Sequence, residues 1–167
     1  RVPNGTDWAA LRPMGPTFVS YLLSFVFLGI YWNNHHHMLH LSSHISGAIL
    51  WANLHLLFWL SLIPFTTAWM GENHFAELPV AAYGVVLLGA ALAYLILERL
   101  IIRHQGAESK LRAAVGREVK GKLSMLLYAI AIPMAFIQRW ISGAIYLLVA
   151  LMWLVPDPRI ESHIARP

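Results

Sequence analysis

The fold class this sequence predicts is an all-α, integral membrane helical bundle, and three observations predict it. Between Arg12 and Glu72 run 59 residues without a single Asp, Glu, Lys or Arg. Within that interval lie two apolar stretches, each long enough to cross a bilayer. Across all 167 residues, 58% are hydrophobic and 12% charged, and the mean hydropathy is +0.58. A water-soluble domain would need a far larger protein to cover both faces of such helices, whereas lipid supplies an apolar surround directly. The length allows about five or six spans of ~20 residues with short connections, in one membrane domain over residues 1–167.

Five segments read as membrane helices: about Pro16–His40, Ile45–Met70, Leu78–Arg103, Gly121–Ile137 and Trp140–Val155. The first opens with Pro13 and Pro16, where a missing amide donor costs least. The second contains Pro64, which removes one backbone hydrogen bond and predicts a kink near Leu60, with Ser61, Thr66 and Thr67 nearby to satisfy freed carbonyls. Gly71 after Met70 predicts its C-terminal stop. The last two spans are short and separated only by Gln138–Arg139, which predicts a tight helical hairpin.

Orientation follows from Lys and Arg, because cytoplasmic loops retain them. The connection after the third span holds Arg99, Arg103, Lys110, Arg112, Arg117, Lys120 and Lys122 against Glu98, Glu108 and Glu118. The connection before it, Gly71 to Glu77, holds Glu72 and Glu77 and no base. The basic connection is therefore cytoplasmic, as are Ser42–Ser43 and the C-terminal tail, while Arg1–Arg12 is external. No signal peptide opens the chain, and an external N-terminus needs something upstream to carry it across. The expectation is a sixth, preceding helix, with both ends inside.

Composition excludes several function classes. The formal net charge of +4 is concentrated in one connection, with no basic groove interleaved with stacking aromatics, so it fits topology rather than a nucleic-acid partner. With no cysteine there is no disulfide, thiolate metal site or cysteine nucleophile. Acyl-transfer triads, phosphate-binding glycine loops and paired intramembrane carboxylates are lacking too. An enzyme has no reacting groups here.

The chemistry-bearing feature is the run Tyr31-Trp32-Asn33-Asn34-His35-His36-His37-Met38-Leu39-His40, with His44 beyond. Imidazoles this close to hydrocarbon are costly unless paired. At helical spacing Asn33, His37, His40 and His44 share one face, and Trp32, His36 and His40 another. Three readings compete. A zinc or di-iron site could use His36 and His40 one turn apart, but His55, His74, His104 and His163 are isolated and form no second histidine box. A haem pair such as His36 and His55 is chemically feasible, yet no spacing demands it. The third reading is structural, with polar side chains bonding across helices, and it is preferred. No cofactor or metal is called for.

The other features are weaker. His55 reads as an interhelical donor rather than a ligand. Trp51, Phe58, Trp59, Phe65 and Trp69 read as lipid-facing and boundary anchors. Arg139 reads as a snorkelling anchor, since voltage sensors repeat Arg every third residue. The basic connection is also suited to touching anionic lipid.

Two motifs carry a family resemblance. Gly29-Ile30-Tyr31-Trp32-Asn33-Asn34-His35-His36 resembles the Trp-x-Asn-His-His signature of the transmembrane protein 175 family of potassium channels, also called domain of unknown function 1211. Ser61-Leu62-Ile63-Pro64-Phe65-Thr66-Thr67-Ala68-Trp69-Met70-Gly71-Glu72 is similar to the family's Pro-Phe-containing span, which ends in a Gly-Glu step. The likeness runs from about Arg1 to Val155.

The resemblance implies a six-helix, multi-pass subunit of the bacterial inner membrane that forms a homotetramer around a central pore conducting K+. It also implies selection by apolar side chains on a first helix that carries an Arg and a Phe-Ser-Asp motif. No Phe-Ser-Asp motif occurs within residues 1–167, so no pore-lining or gate residue is assigned. By the same resemblance, Trp32, Asn34, His35 and His36 hold the pore helix, supplying hydrogen bonds to its buried Arg–Asp pair. His37 and His40 have no role in that scheme, and pH sensitivity is an open use for them. The expected function is passive K+ conduction, with no turnover chemistry. The alternatives are a histidine-dependent membrane metalloenzyme or haem protein, and a non-conducting scaffold subunit.

Overall fold

The computed structural model describes residues 15–40, 42, 45–106, 111 and 119–154. Among these the chain is helical throughout its ordered elements, with no strand: α1 (Gly15–His40), α2 (Gly47–Glu72), α3 (Glu77–Gln105) and α4 (Val119–Leu154). Local sequence explains most of the ends. Ser46 caps α2 with its side chain accepting from the Ile49 amide at 3.4 Å, which satisfies one orphan donor. Pro79 sits in the first turn of α3, where the amide it lacks would have no intrahelical partner. Gly106, at φ 68°, closes α3 by donating to the Ile102 carbonyl, a backbone conformation that glycine adopts without cost.

Five separate spans are not what the structure contains. Three helical stretches are long and apolar enough to cross a membrane, namely Gly47–Glu72, Glu77–Gln105 and Lys120–Leu154. The segments expected at 121–137 and 140–155 are the two limbs of α4, two helices that meet at Gln138 (φ −152°, ψ 93°) with no loop between them, as the expected tight hairpin requires. The element folds back on itself there. The Ser142 hydroxyl donates to the Ala131 carbonyl at 2.7 Å, and the Trp153 indole donates to Ser124 Oγ at 2.8 Å. In a straight helix Ser124 and Trp153 would stand about 43 Å apart.

α3 is the central helix, packed against α2 on one side and α4 on the other, while α1 lies along α2 and touches α4. Leu56 and Ile63 of α2, Leu87, Leu97 and Ile101 of α3 and Val149 of α4 fill the fully buried core. Two glycines let backbones approach. A Cβ on Gly89 would collide with the Trp59 indole, and one on Gly84 with the Tyr146 hydroxyl. Small residues at such crossings are a hallmark of intramembrane packing. The outer faces carry Trp51, Phe58, Phe65, Ile137 and many leucines in the open, far more apolar surface than a soluble monomer leaves uncovered.

Three local expectations need correcting. Gly71 does not stop α2, which continues through Glu72; the reversal is made by His74 (φ 50°) and Phe75 (φ 57°), with the Phe75 amide donating to the Met70 carbonyl at 2.9 Å. Helix α2 runs through Pro64, and the neighbouring hydroxyls bond carbonyls other than that of Leu60. Ser61 donates to Phe58, Thr66 to Leu62 and Ile63, and Thr67 to Ile63. Arg99 and Arg103 belong to the last turns of α3, and Lys120 and Lys122 to the first turn of α4, rather than to a loop. Glu98 is a buried α3 residue. Arg1–Arg12, Pro13, His44, Lys110, Arg112, Arg117, Glu108, Glu118 and His163, all named in the sequence analysis, lie outside the described residues.

Candidate functional site

The histidine run forms the last turns of α1, and helical phase splits it between two environments. Asn34 and His35 are half-buried toward the bundle, while Trp32, Asn33, His36 and His40 are exposed. Met38 is buried and His37 half-buried between them. The four residues expected to act together, Trp32, Asn34, His35 and His36, therefore do not converge on one point.

The inward pair ties α1 to its neighbours. His35 Nε2 lies 2.6 Å from Oδ1 of Asn53 on α2. Because the amide oxygen only accepts, this contact places a proton on Nε2. Asn34 Nδ2 donates to the Ile30 carbonyl at 2.8 Å, and the Asn34 carbonyl accepts from the Tyr94 hydroxyl of α3 at 3.3 Å. Polar contacts of this kind between membrane helices are worth about 0.6–2 kcal/mol each.

The outward set is a ladder of parallel rings. His36 stacks on Trp32 at 5.3 Å between centroids and 15° between planes, and on His40 at 6.2 Å and 17°. This confirms that Trp32, His36 and His40 share a face. The same face continues toward the start of α1 through Gly29, Phe25, Leu22 and Phe18, all exposed, so one uncovered stripe runs nearly the length of the helix. Among the described residues, no three His, Cys, Asp or Glu side chains are grouped so that they could hold a metal ion.

Among the described residues, the bond that His55 makes is within its own helix. Its Nε2 accepts from the indole of Trp59, one turn further on, at 3.0 Å. Trp59 itself is half-buried against Gly89 rather than lipid-facing, and Trp69 is also half-buried, whereas Trp51, Phe58 and Phe65 are exposed. Arg139 lies at the turn of α4 with its guanidinium 5.6 Å from the Trp140 ring centre, and Trp140 in turn meets Phe75 of the α2–α3 turn at 5.9 Å.

A feature that sequence reasoning missed is the interior set of tyrosines. Tyr83 of α3 meets Phe27 of α1 at 5.7 Å and Tyr146 of α4 at 5.4 Å, and Tyr146 meets Tyr128 at 6.2 Å. Tyr146 donates to the Val80 carbonyl at 3.1 Å, and Tyr31 and Tyr128 share a hydrogen bond. The available signal was position. These tyrosines fall well inside predicted spans, and tyrosine in membrane helices is otherwise concentrated at the interfaces.

Comparison with known proteins bears on what this arrangement serves. The sequence profile of a family described as endosomal/lysosomal potassium channel TMEM175 matches residues 1–64. A protein from Chryseobacterium sp. (strain P1-3) named potassium channel is 49% identical over 164 residues, 98% of this chain and 85% of that protein. One of the same description from Streptomyces collinus is 27% identical, covering 96% of this chain and 82% of its own length. Another from Chamaesiphon minutus is 25% identical, covering 86% and 73% respectively. No solved structure matches.

Proposed function

This chain belongs to the TMEM175 family of potassium channels, and from that membership we propose that it is a pore-forming subunit conducting K+ passively down its electrochemical gradient. The carrying observation is the 49% identity, over 98% of the chain, to a protein named potassium channel. Family and relatives point to a channel, not an enzyme, and to an integral membrane setting that agrees with three apolar helices of spanning length. The bacterial relatives support the inner membrane of a bacterium as its location. Helix α1, with 26 residues and no Asp, Glu, Lys or Arg, is a further span in this reading, being about 39 Å long.

The proposed assembly is a homotetramer in which the uncovered stripe of α1 meets a pore-lining helix. Two observations support it. The stripe is apolar for most of its length, and Trp32, His36 and His40 at its end are costly to leave against hydrocarbon without a partner. Trp32 and His36 brace the pore helix directly, while Asn34 and His35 hold α1 to α2 and α3 behind it. The gate lies on the pore helix and is not assigned.

The deciding measurement is K+ flux in liposomes containing the purified subunit together with its pore-lining helix, compared with protein-free vesicles. A K+-dependent flux exceeding that of Na+ is expected. Equal rates in the two vesicle preparations would overturn the reading.

A further inference from the structure

The central helix α3 is covered on nearly every side, yet one narrow stripe of it stays open. Leu78, Val85, Leu92, Ile96, Arg99 and Arg103 are exposed, while every residue between them is buried or half-buried. At about 100° per residue, these positions fall within roughly 60° of the helix circumference. With α2 packed on one side of α3 and α4 on the other, so narrow an opening is the floor of a groove.

The floor changes character along its length. It is apolar from Leu78 to Ile96 and then ends in two arginines one turn apart, Arg99 and Arg103. Glu98, the one acidic residue at this end among the described residues, is buried about 140° round the helix from Arg103. Trp153 meets Tyr94 of α3 at 6.0 Å and bonds Ser124 of α4 at 2.8 Å, which sets the start of α4, with its exposed Lys122, level with the same end. The opposite end of α3 presents Glu77, and Glu72 is exposed across the turn from it. Basic residues gather at the cytoplasmic side of a membrane protein, and anionic phospholipids charge that same leaflet. From Leu92 to Arg103 the helix rises about 16 Å, the depth of one leaflet in a hydrocarbon core of ~30 Å.

We propose that this groove is the seat of one anionic phospholipid of the cytoplasmic leaflet, its phosphate held by Arg99 and Arg103 and an acyl chain laid along Ile96 and Leu92. Guanidinium groups grip phosphate oxygens through short, charge-assisted hydrogen bonds, and the aliphatic floor matches a lipid tail. A soluble phosphate would use the arginines and leave the apolar floor unoccupied, whereas a phospholipid uses both. The seat is separate from the outward stripe of α1, and it rests on the membrane setting of the chain, not on its conducting K+.

Native mass spectrometry of the full chain in detergent tests the seat, with phosphatidylglycerol and phosphatidylcholine of the same acyl chains titrated separately. The unaltered protein should retain phosphatidylglycerol at least about tenfold more tightly. The attraction of one basic side chain to an anionic lipid surface is worth roughly fivefold in affinity, so Arg99→Gln with Arg103→Gln should lose about 30-fold for phosphatidylglycerol and little for phosphatidylcholine. Arg139→Gln, at the turn of α4, should change neither. Equal affinity for the two lipids overturns the seat, as does a phosphatidylglycerol preference that survives the double variant, whether or not a second copy of the chain then proves to cover the stripe. Displacement of phosphatidylglycerol by an equal concentration of glycerol phosphate also overturns it, in favour of a soluble anion. Should the double variant fail to fold, Arg103→Gln alone decides: a fall of about fivefold upholds the seat and an unchanged affinity overturns it.

Discussion

His35 on α1 and Asn53 on α2 lie 2.6 Å apart through Nε2 and Oδ1, the shortest polar link between different helices among the bonds described above. Because both groups are half-buried in the bundle, loss of one partner leaves the other poorly satisfied. His35→Ala and Asn53→Leu should each destabilise the folded subunit by about 1–2 kcal/mol. The double variant should cost less than the sum of the two, with a coupling of about 0.6 kcal/mol or more. Unfolding of the four proteins in detergent checks this, and strict additivity would show that the contact carries no energy.

Trp32 and His36 predict the opposite pattern. Both are exposed on the subunit, so Trp32→Ala and His36→Ala should leave subunit unfolding within about 0.5 kcal/mol of the unaltered protein. In the assembled channel they should reduce oligomer stability or K+ conductance. Size-exclusion chromatography with light scattering, together with liposome flux, tests the pair. Unchanged oligomer and unchanged current in both variants refute the bracing role.

Glycines 29 and 89 separate an open position from a crowded one. Gly89→Ala would drive a Cβ into the Trp59 indole, and overpacking of this kind costs about 1–3 kcal/mol. It should also loosen the Trp59–His55 bond, visible as a change in tryptophan fluorescence. Gly29 has nothing within 4 Å of an added Cβ, so Gly29→Ala should raise subunit stability by up to about 1 kcal/mol through helix propensity. If the α1 stripe is buried on assembly, the same substitution should weaken oligomerisation.

The turn between α2 and α3 offers a fourth check. His74 holds φ at 50°, a conformation that costs a side-chain-bearing residue about 1–2 kcal/mol. His74→Gly should therefore stabilise the subunit, by about 1 kcal/mol after the added entropy of the unfolded glycine. Phe75 has the same backbone geometry but also meets Trp140, so Phe75→Gly should gain less or lose. Thermal unfolding of the two variants side by side decides it.

Helix placement was largely legible in the sequence, because long apolar runs mark helices whatever their neighbours. The sequence predicts α2 at about Ile45–Met70 and it lies at Gly47–Glu72; it predicts α3 at about Leu78–Arg103 and it lies at Glu77–Gln105. The break before Arg139 was anticipated too, but not that a single residue would make it. Facing was much less legible. Helices apolar on all sides show no stripe from which to read a buried face, so spacing could group Trp32, His36 and His40 without saying that they point outward and His35 inward. Trp59 and His55 are hard to place from sequence for a related reason. A polar group in an apolar span was expected to reach across to another helix, whereas a partner four residues away on the same helix satisfied it.

The one-residue join at Gln138 leaves the limbs of α4 no slack. With Ser142 latched to Ala131 and Trp153 to Ser124, neither limb can roll about its own axis without dragging its mate. The pair is thus fastened to its neighbours at both ends, by Phe75 against Trp140 at the turn and by Tyr94 against Trp153 at the far end.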